Sequence, residues 1–333
     1  MSKALVTGAT GFVGSWVART LLEAGHQVRV LHRATSRLDA IADLEVEHVI
    51  GDVTDTNVLD QAVQGIDWVF HVAAISAYWR TGKDVIYKVN VDATRELLKA
   101  SERAGIKRFI FTSSAAAVGY GADGHAVDET HLYNIDPSLS PYAHSKFLAE
   151  AEVYQAIERG LDCVIVNPSV IIGPADLNLI SGSLILEMAM GRVPFMPMSG
   201  GLTLIDVRDV AKSHLRAAEV GRTGERYLLG TVSMSNQALF KLIASVVGVN
   251  PPRIPVPAPI ILALAYIADV AKLLRVPLPA DVEGNQLRLS TRSIYYDCTK
   301  SWRELHMPEV DIKQSIADTY EWYEVNGYLN ASA

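Results

Sequence analysis

Along the first half of the chain, apolar and polar residues fall in blocks. Short, nearly unbroken apolar runs occupy 4–6, 28–31, 47–50, 68–72, 108–111 and 163–166. Runs of this length predict strands buried on both faces, as in a parallel sheet. Between them, apolar residues recur at helical spacing over 12–24, 57–63, 85–104 and 142–159. Strand and helix in alternation predict an α/β fold: a Rossmann-type, doubly wound parallel sheet with right-handed crossovers. Ligands of such a sheet bind beyond the carboxyl ends of its strands, at the switch point.

Past residue 174 the rhythm changes. Helical patterns at 207–220, 236–247 and 260–274 mix with short strands at 226–229 and 294–296, and prolines cluster at 251–259 and 277–279. We therefore expect one domain over 1–174 and a smaller C-terminal α/β lobe over 175–330, interleaved with the first. The apolar stretch 256–268 is cut by Asp269 and Lys272, short of the ~20 residues a membrane span requires. It is expected to line an apolar pocket, or to form a surface that touches lipid or a partner.

Composition narrows the classes. The 333 residues are 49% hydrophobic and 20% charged with a net charge of -7, which gives no general reason to bind nucleic acid or an anionic membrane. Cys163 and Cys298 are too few for a disulfide framework or a metal site. With no basic-then-apolar leader ahead of the first strand, the expected location is cytoplasmic.

Candidate chemistry begins at Thr7-Gly-Ala-Thr-Gly-Phe-Val-Gly14, which follows the first strand and opens the first helix. Gly8 permits the tight turn, Gly11 lets backbone amides approach phosphates, and Gly14 lets the helix pack close to the sheet. The helix start adds free N–H groups. Gly8, Thr10, Gly11, Phe12, Val13 and Gly14 thus form a candidate pyrophosphate site. The second strand ends His32-Arg33, followed by Ser36 and Arg37, with no carboxylate before Asp39. A carboxylate there would bond a ribose 2′-hydroxyl, whereas Arg33, with Arg37, suits a 2′-phosphate. NADP(H) is therefore the expected cofactor, with NAD(H) also admissible. Asp52 and Val53 after the third strand suit the adenine, and Ala73 and Ala74 after the fourth offer close backbone access.

Tyr142-Ala-His-Ser-Lys146 sets a phenol and an ammonium one helical turn apart. The positive charge is expected to lower the phenol's pKa, making Tyr142 an acid/base near neutrality. Ser114, at the end of the fifth strand, is placed to bond the substrate oxygen. His144, two positions from Tyr142, faces elsewhere on the helix and reads as structural.

Together these residues resemble the signature of the short-chain dehydrogenase/reductase superfamily, extended type, over nearly the whole chain. The resemblance implies that Asn90, in Lys88-Val-Asn-Val-Asp92, anchors a helix through an ordered water and serves the relay of Ser114, Tyr142 and Lys146. It implies that Ser113, Pro168, Ser169 and Val170 border the cofactor. It also implies a homodimer through helices 85–104 and 142–159. Members divide into sugar-nucleotide enzymes and carbonyl reductases. Thr112-Ser-Ser114 stands where sugar dehydratases have Thr-Asp-Glu, and Val170 where the sugar enzymes place an Asn on the diphosphate. Pro168-Ser169, running on to Gly173-Pro174, resembles the dihydroflavonol 4-reductase pattern. The overall wording, including Tyr78-Trp79 and Asn167-Pro-Ser169, is similar to bacterial hopanoid-associated sugar epimerase-like proteins, a dihydroflavonol-reductase-like branch.

Ala115 beside Ser114, Tyr78 and Trp79 after the fourth strand, and Met188 with Met190, Met196 and Met198 are candidate pocket residues. For the methionines, core filling is an equal reading. The expectation is an NADP(H)-dependent oxidoreductase that reduces a ketone or aldehyde, or oxidises a secondary alcohol, of a fairly apolar small molecule, as dihydroflavonol reductases and 3β-hydroxysteroid dehydrogenases do. The alternatives are an NDP-sugar epimerase with tightly held NAD, which needs a phosphate clamp such as Arg192 or Arg253, and a non-enzymatic dinucleotide sensor.

Overall fold

A computed structural model describes residues 1–76, 81–179, 181–274, 276 and 283–330. Tyr78 and Trp79 lie outside the described residues. The first half runs β1 (Lys3–Thr7), α1 (Phe12–Glu23), β2 (Gln27–His32), β3 (Glu47–Ile50), α2 (Thr56–Ala62), β4 (Trp68–His71), α3 (Lys83–Tyr87), α4 (Ala93–Ala104), β5 (Arg108–Thr112), α5 (Pro141–Glu158) and β6 (Cys163–Pro168). A π-helical turn, Lys88–Asp92, joins α3 to α4. The second half runs β7 (Val170–Ile172), α6 (Ser183–Ala189), β8 (Phe195–Pro197), β9 (Gly201–Asp206), α7 (Val207–Val220), β10 (Arg226–Leu229), β11 (Val232–Ser235), α8 (Asn236–Val247), β12 (Ile254–Val256), α9 (Ala258–Leu273), α10 (Gly284–Ser290), β13 (Ser293–Ile294), α11 (Thr299–Glu304) and α12 (Ile312–Val325).

Seven parallel strands form the central sheet, in the order β10-β6-β5-β4-β1-β2-β3. Strand order reverses between β1 and β4, so a crevice opens there at the carboxyl ends. Alternate residues of each strand feed different layers. Val6, Val30, Phe70, Ile110 and Val166 pack with Val17 and Leu21 of α1 and Val210 of α7. Leu5, Leu31, Val69, Phe111 and Ile165 pack with Leu59 of α2, Leu97 of α4 and Val153 of α5. Both faces being covered explains the nearly continuous apolar runs.

The later part of the chain contributes both to the main sheet and to a second one. β10 extends the main sheet beside β6, and α7 covers α1. A second sheet is centred on β9, which pairs with β7, β11 and β13. Its core holds Ile172, Ile185, Met188, Leu204, Leu239, Ile243 and Ile316. Met188 is therefore a core side chain, 2% exposed. Met196 is buried as well, while Met198 is exposed.

α9 packs along one side only. Ile261, Ala265 and Ala268 are buried, and Ile260, Leu262, Leu264, Tyr266 and Ile267 are exposed. Both charged residues of the helix turn towards neighbouring chain: Asp269 pairs with Arg288 of α10, and Lys272 with Glu283. The helix thus shows a largely apolar outer face. Among the described residues, no helix is long and apolar enough to cross a membrane.

Candidate active site

The β1–α1 turn is a backbone cradle. Gly8 has φ +73°, and a Cβ there would lie 2.7 Å from the amide nitrogen of Ala73. Gly14 is tighter still, because a Cβ would lie 2.2 Å from the Gly8 carbonyl oxygen. Helix α1 begins at Gly11 without a side-chain cap and without an acidic residue in its first turn. The Gly11 amide donates to the Gly8 carbonyl and the Ser15 amide to Gly11. The Phe12, Val13 and Gly14 amides are left without a protein acceptor among the described residues. Free amides at the positive end of a helix suit a pyrophosphate. The residues present therefore fit a dinucleotide.

Across the crevice, the Thr7 hydroxyl bonds His71 Nδ1 at 2.8 Å, and the Ala73 amide donates to the same hydroxyl. His71 Nε2 continues to Thr94. This buried chain ties β1 to β4 and holds Ala73, followed by Ala74, at the crevice floor. Arg33 is exposed at the end of β2 and makes no ion pair among the described residues. Arg37 pairs with Asp39 at 2.9 Å. The Asp52 carboxylate accepts from the amide and hydroxyl of Thr54, and the positive charge of Arg33 helps hold it below its ordinary pKa. Val53 follows it in the loop after β3. Pro168, Ser169 and Val170 lie at the β6–β7 junction on the same carboxyl-end rim, where Ser169 Oγ is buried without a partner among the described residues.

Ser140 caps α5 by accepting from the Ala143 amide, and Pro141 takes the first turn. Tyr142 therefore starts the helix at the rim, with Lys146 one turn deeper. Lys146 is 2% exposed; its ammonium donates to the Thr112 carbonyl at 2.7 Å and sits 5.0 Å from the Phe111 ring centroid. Burial pulls Lys146 down to about 7, against the charge of Glu150. Burial pushes the Tyr142 phenol above its ordinary value, and Ser114 is the group that pulls it back. The expected lowering by Lys146 gives way to burial, and the ammonium itself is engaged with the end of β5.

Ser114 is set by two contacts. Its hydroxyl accepts from the Ala116 amide at 3.2 Å, and its carbonyl accepts from Asn167 Nδ2 at 3.0 Å. The neighbouring Ser113 hydroxyl points into the core and donates to Glu150 at 2.5 Å. Asn90 lies in the π turn, where its amide brackets Ile75, accepting from its N–H and donating to its carbonyl, and also donates to Ser145 Oγ at 2.9 Å. It touches the residue before Lys146, and supports the chain after β4. Ala115 is buried against Val118, Leu228 and Tyr296. Met188 lies in the second core, so neither side chain is freely presented to the crevice. His144 bonds the Tyr87 hydroxyl at 2.8 Å. Arg192, one candidate phosphate clamp, faces Glu187 at 3.6 Å, and the other, Arg253, is exposed.

Sequence reasoning missed Glu150 and Asn167 as parts of this site. Glu150 carried a signal: it continues the four-residue spacing of Tyr142 and Lys146 on one helix face.

Residues 4–230 match the model of the NAD dependent epimerase/dehydratase family. A dihydroflavonol 4-reductase-like protein of Synechocystis sp. is 39% identical over 97% of this chain and 95% of its own. Sterol demethylase protein B of Methylococcus capsulatus is 30% identical over 98% and 99%. The crystal structure of gox2253 superposes with a TM-score of 0.87 at 35% identity, covering 98% of this chain and 99% of that one.

Proposed function

Because the chain belongs to the NAD dependent epimerase/dehydratase family, we propose that it is an NAD(P)-dependent oxidoreductase preferring NADP(H) and working on the carbonyl or secondary alcohol of a fairly apolar molecule. The observation that carries this reading is the meeting of three features on one rim: the uncapped start of α1, the Ser114–Tyr142 pair, and Lys146 beneath them. The relatives named for dihydroflavonol and sterol chemistry support a reductase or dehydrogenase.

In this reading the Phe12, Val13 and Gly14 amides hold the pyrophosphate, Arg33 meets the 2′-phosphate, and Asp52 and Val53 border the adenine. A bound nicotinamide supplies or accepts the hydride. Ser114 orients the substrate oxygen, and Tyr142 gives it a proton or takes one from it. Lys146 stabilises the charge that develops on the phenol. Asn90 supports this set through Ser145. A cytoplasmic homodimer paired through α4 and α5 belongs to the same proposal, and light scattering on the purified chain tests its stoichiometry.

Tyr142→Phe is the direct test. Turnover of a carbonyl or alcohol substrate found by screening ketones, aldehydes and steroid-like alcohols should fall at least ~100-fold with NADPH affinity kept. A variant with near-normal turnover refutes the assignment. Stoichiometric NAD released on denaturing the fresh protein would favour the sugar-nucleotide epimerase instead.

A further inference from the structure

Beneath the proposed catalytic residues lies a second polar layer that the reaction itself does not use. Glu150 is 2% exposed, one helical turn below Lys146 on α5. Its Oε1 accepts from Ser113 Oγ at 2.5 Å, at the end of β5, and from Asn167 Nδ2 at 2.6 Å, in β6. Its Oε2 faces Nη1 of Arg226, in β10, at 3.3 Å. Asn167 passes the contact on to the Ser114 carbonyl. Arg226 also donates to the carbonyls of Glu129 and His131, in the loop leading into α5. One buried carboxylate thus joins three strand ends to the helix that carries Tyr142 and Lys146.

Resting on the active site proposed above, we infer that Glu150 is a positioning residue for it: held by Ser113, Asn167 and Arg226, its carboxylate fixes the backbone of Ser114 opposite Tyr142 and sets a negative charge one helical turn from Lys146. A buried carboxylate with this many donors is too costly to keep for packing alone. A methionine would fill the same space between strands and helix. The groups facing the two charges are Tyr142 and Tyr154 on α5, Arg226 on β10, Ser113 and Asn167 at the strand ends, and His71 on β4. Burial pushes the Glu150 carboxyl above its ordinary value, and Ser113, Arg226 and Asn167 pull it back towards the ionised form. None of the groups facing Lys146 besides Glu150 carries a negative charge, and that charge opposes the effect of burial on the lysine.

The test needs no substrate. The full chain is labelled with lysine carrying 13C at Cε, and the Lys146 resonance is assigned by its loss in Lys146→Met. In the wild type it should titrate at about 7. In Glu150→Gln, which keeps the shape and removes the charge, the midpoint should fall by about half a pH unit or more. Tyr154→Phe, which removes a neutral phenol and leaves every donor to Glu150 in place, should not move it. A midpoint unmoved by Glu150→Gln overturns the inference. Should that variant not fold, the carboxyl 13C shift of Glu150 in the wild type decides: an ionised group at pH 7 supports the inference and a protonated one overturns it. An active Tyr142→Phe variant would instead refute the function while leaving this titration untouched. An inert Tyr142→Phe with an unmoved titration defeats the positioning role alone.

Discussion

Gly14→Ala adds one methyl at the tightest point of the proposed cofactor cradle. Its Cβ would lie 2.2 Å from the Gly8 oxygen, 2.6 Å from the Gly8 carbonyl carbon and 2.9 Å from Ala9 Cα. All three are backbone atoms, so no rotamer change relieves the overlap. Restoring an ordinary contact requires about 1 Å of separation between the start of α1 and the turn before it, an overpacking cost on the order of 1–3 kcal/mol. The same shift stretches the amide–phosphate bonds. Losing two charge-assisted bonds of about 1.5–3 kcal/mol each weakens cofactor binding at least ~100-fold. Protein-fluorescence titration with NADPH and a thermal melt measure both consequences. Gly11→Ala is the control for the melt alone, because its Cβ would meet the Gly8 oxygen at 3.3 Å, a crowding that a few tenths of an ångström relieves, whereas its place beside the phosphates makes its NADPH affinity fall as well. A Gly14→Ala protein with NADPH affinity within threefold of wild type and an unchanged melt would refute this geometry.

Arg33→Ala should weaken NADPH about tenfold while leaving NADH within about twofold, since an exposed charge pair is worth only ~1–2 kcal/mol; equal losses for both cofactors would remove Arg33 from the 2′-phosphate. Stability should fall as pH drops from 6.5 towards 5. Burial holds His71 down to about 3 and His214 down to about 4, so the unfolded chain takes up their protons first. Each contributes stability that is present above 6.5 and lost on acidification, at up to ~1.4 kcal/mol per pH unit. His214→Gln should flatten the slope of melting temperature against pH over that range, and an unaltered slope would contradict the buried neutral imidazole. Leu264→Lys and Ile267→Lys, on the outer face of α9, should each shift the melting temperature by no more than about 2 °C; a large loss would mean that face is packed.

The six strands of the first half were legible because each is buried on both sides by regular layers, so its partners hardly matter to its composition. β7, β8, β11 and β12 were not. Each has three or four residues, and each is stabilised by a distant segment: Val170 by Leu204, Phe195 by Ile254, Val232 by Leu204. No local period announces such pairings. The helix read as continuous over 85–104 carries a π turn at Lys88–Asp92. That turn places Asn90 where its side chain reaches Ile75 and Ser145, an arrangement set by contacts far away in the chain.

A similar division runs through the proposed site. Glycine spacing marked a cradle because the close backbone approaches at Gly8 and Gly14 exclude any side chain, and only one residue type meets that demand. The Tyr-x-x-x-Lys spacing placed two groups on one helix face, but spacing does not say what lies opposite. Opposite Lys146 is the Thr112 carbonyl, at the end of β5, and that contact, with burial, sets where the ammonium sits. The same face, extended one turn, leads to Glu150. Its meaning appears only when β5, β6 and β10 arrive together around it. Glycines are legible because they answer to their own backbone. A buried charge answers to the groups that converge on it, and those come from strands spread over more than a hundred residues.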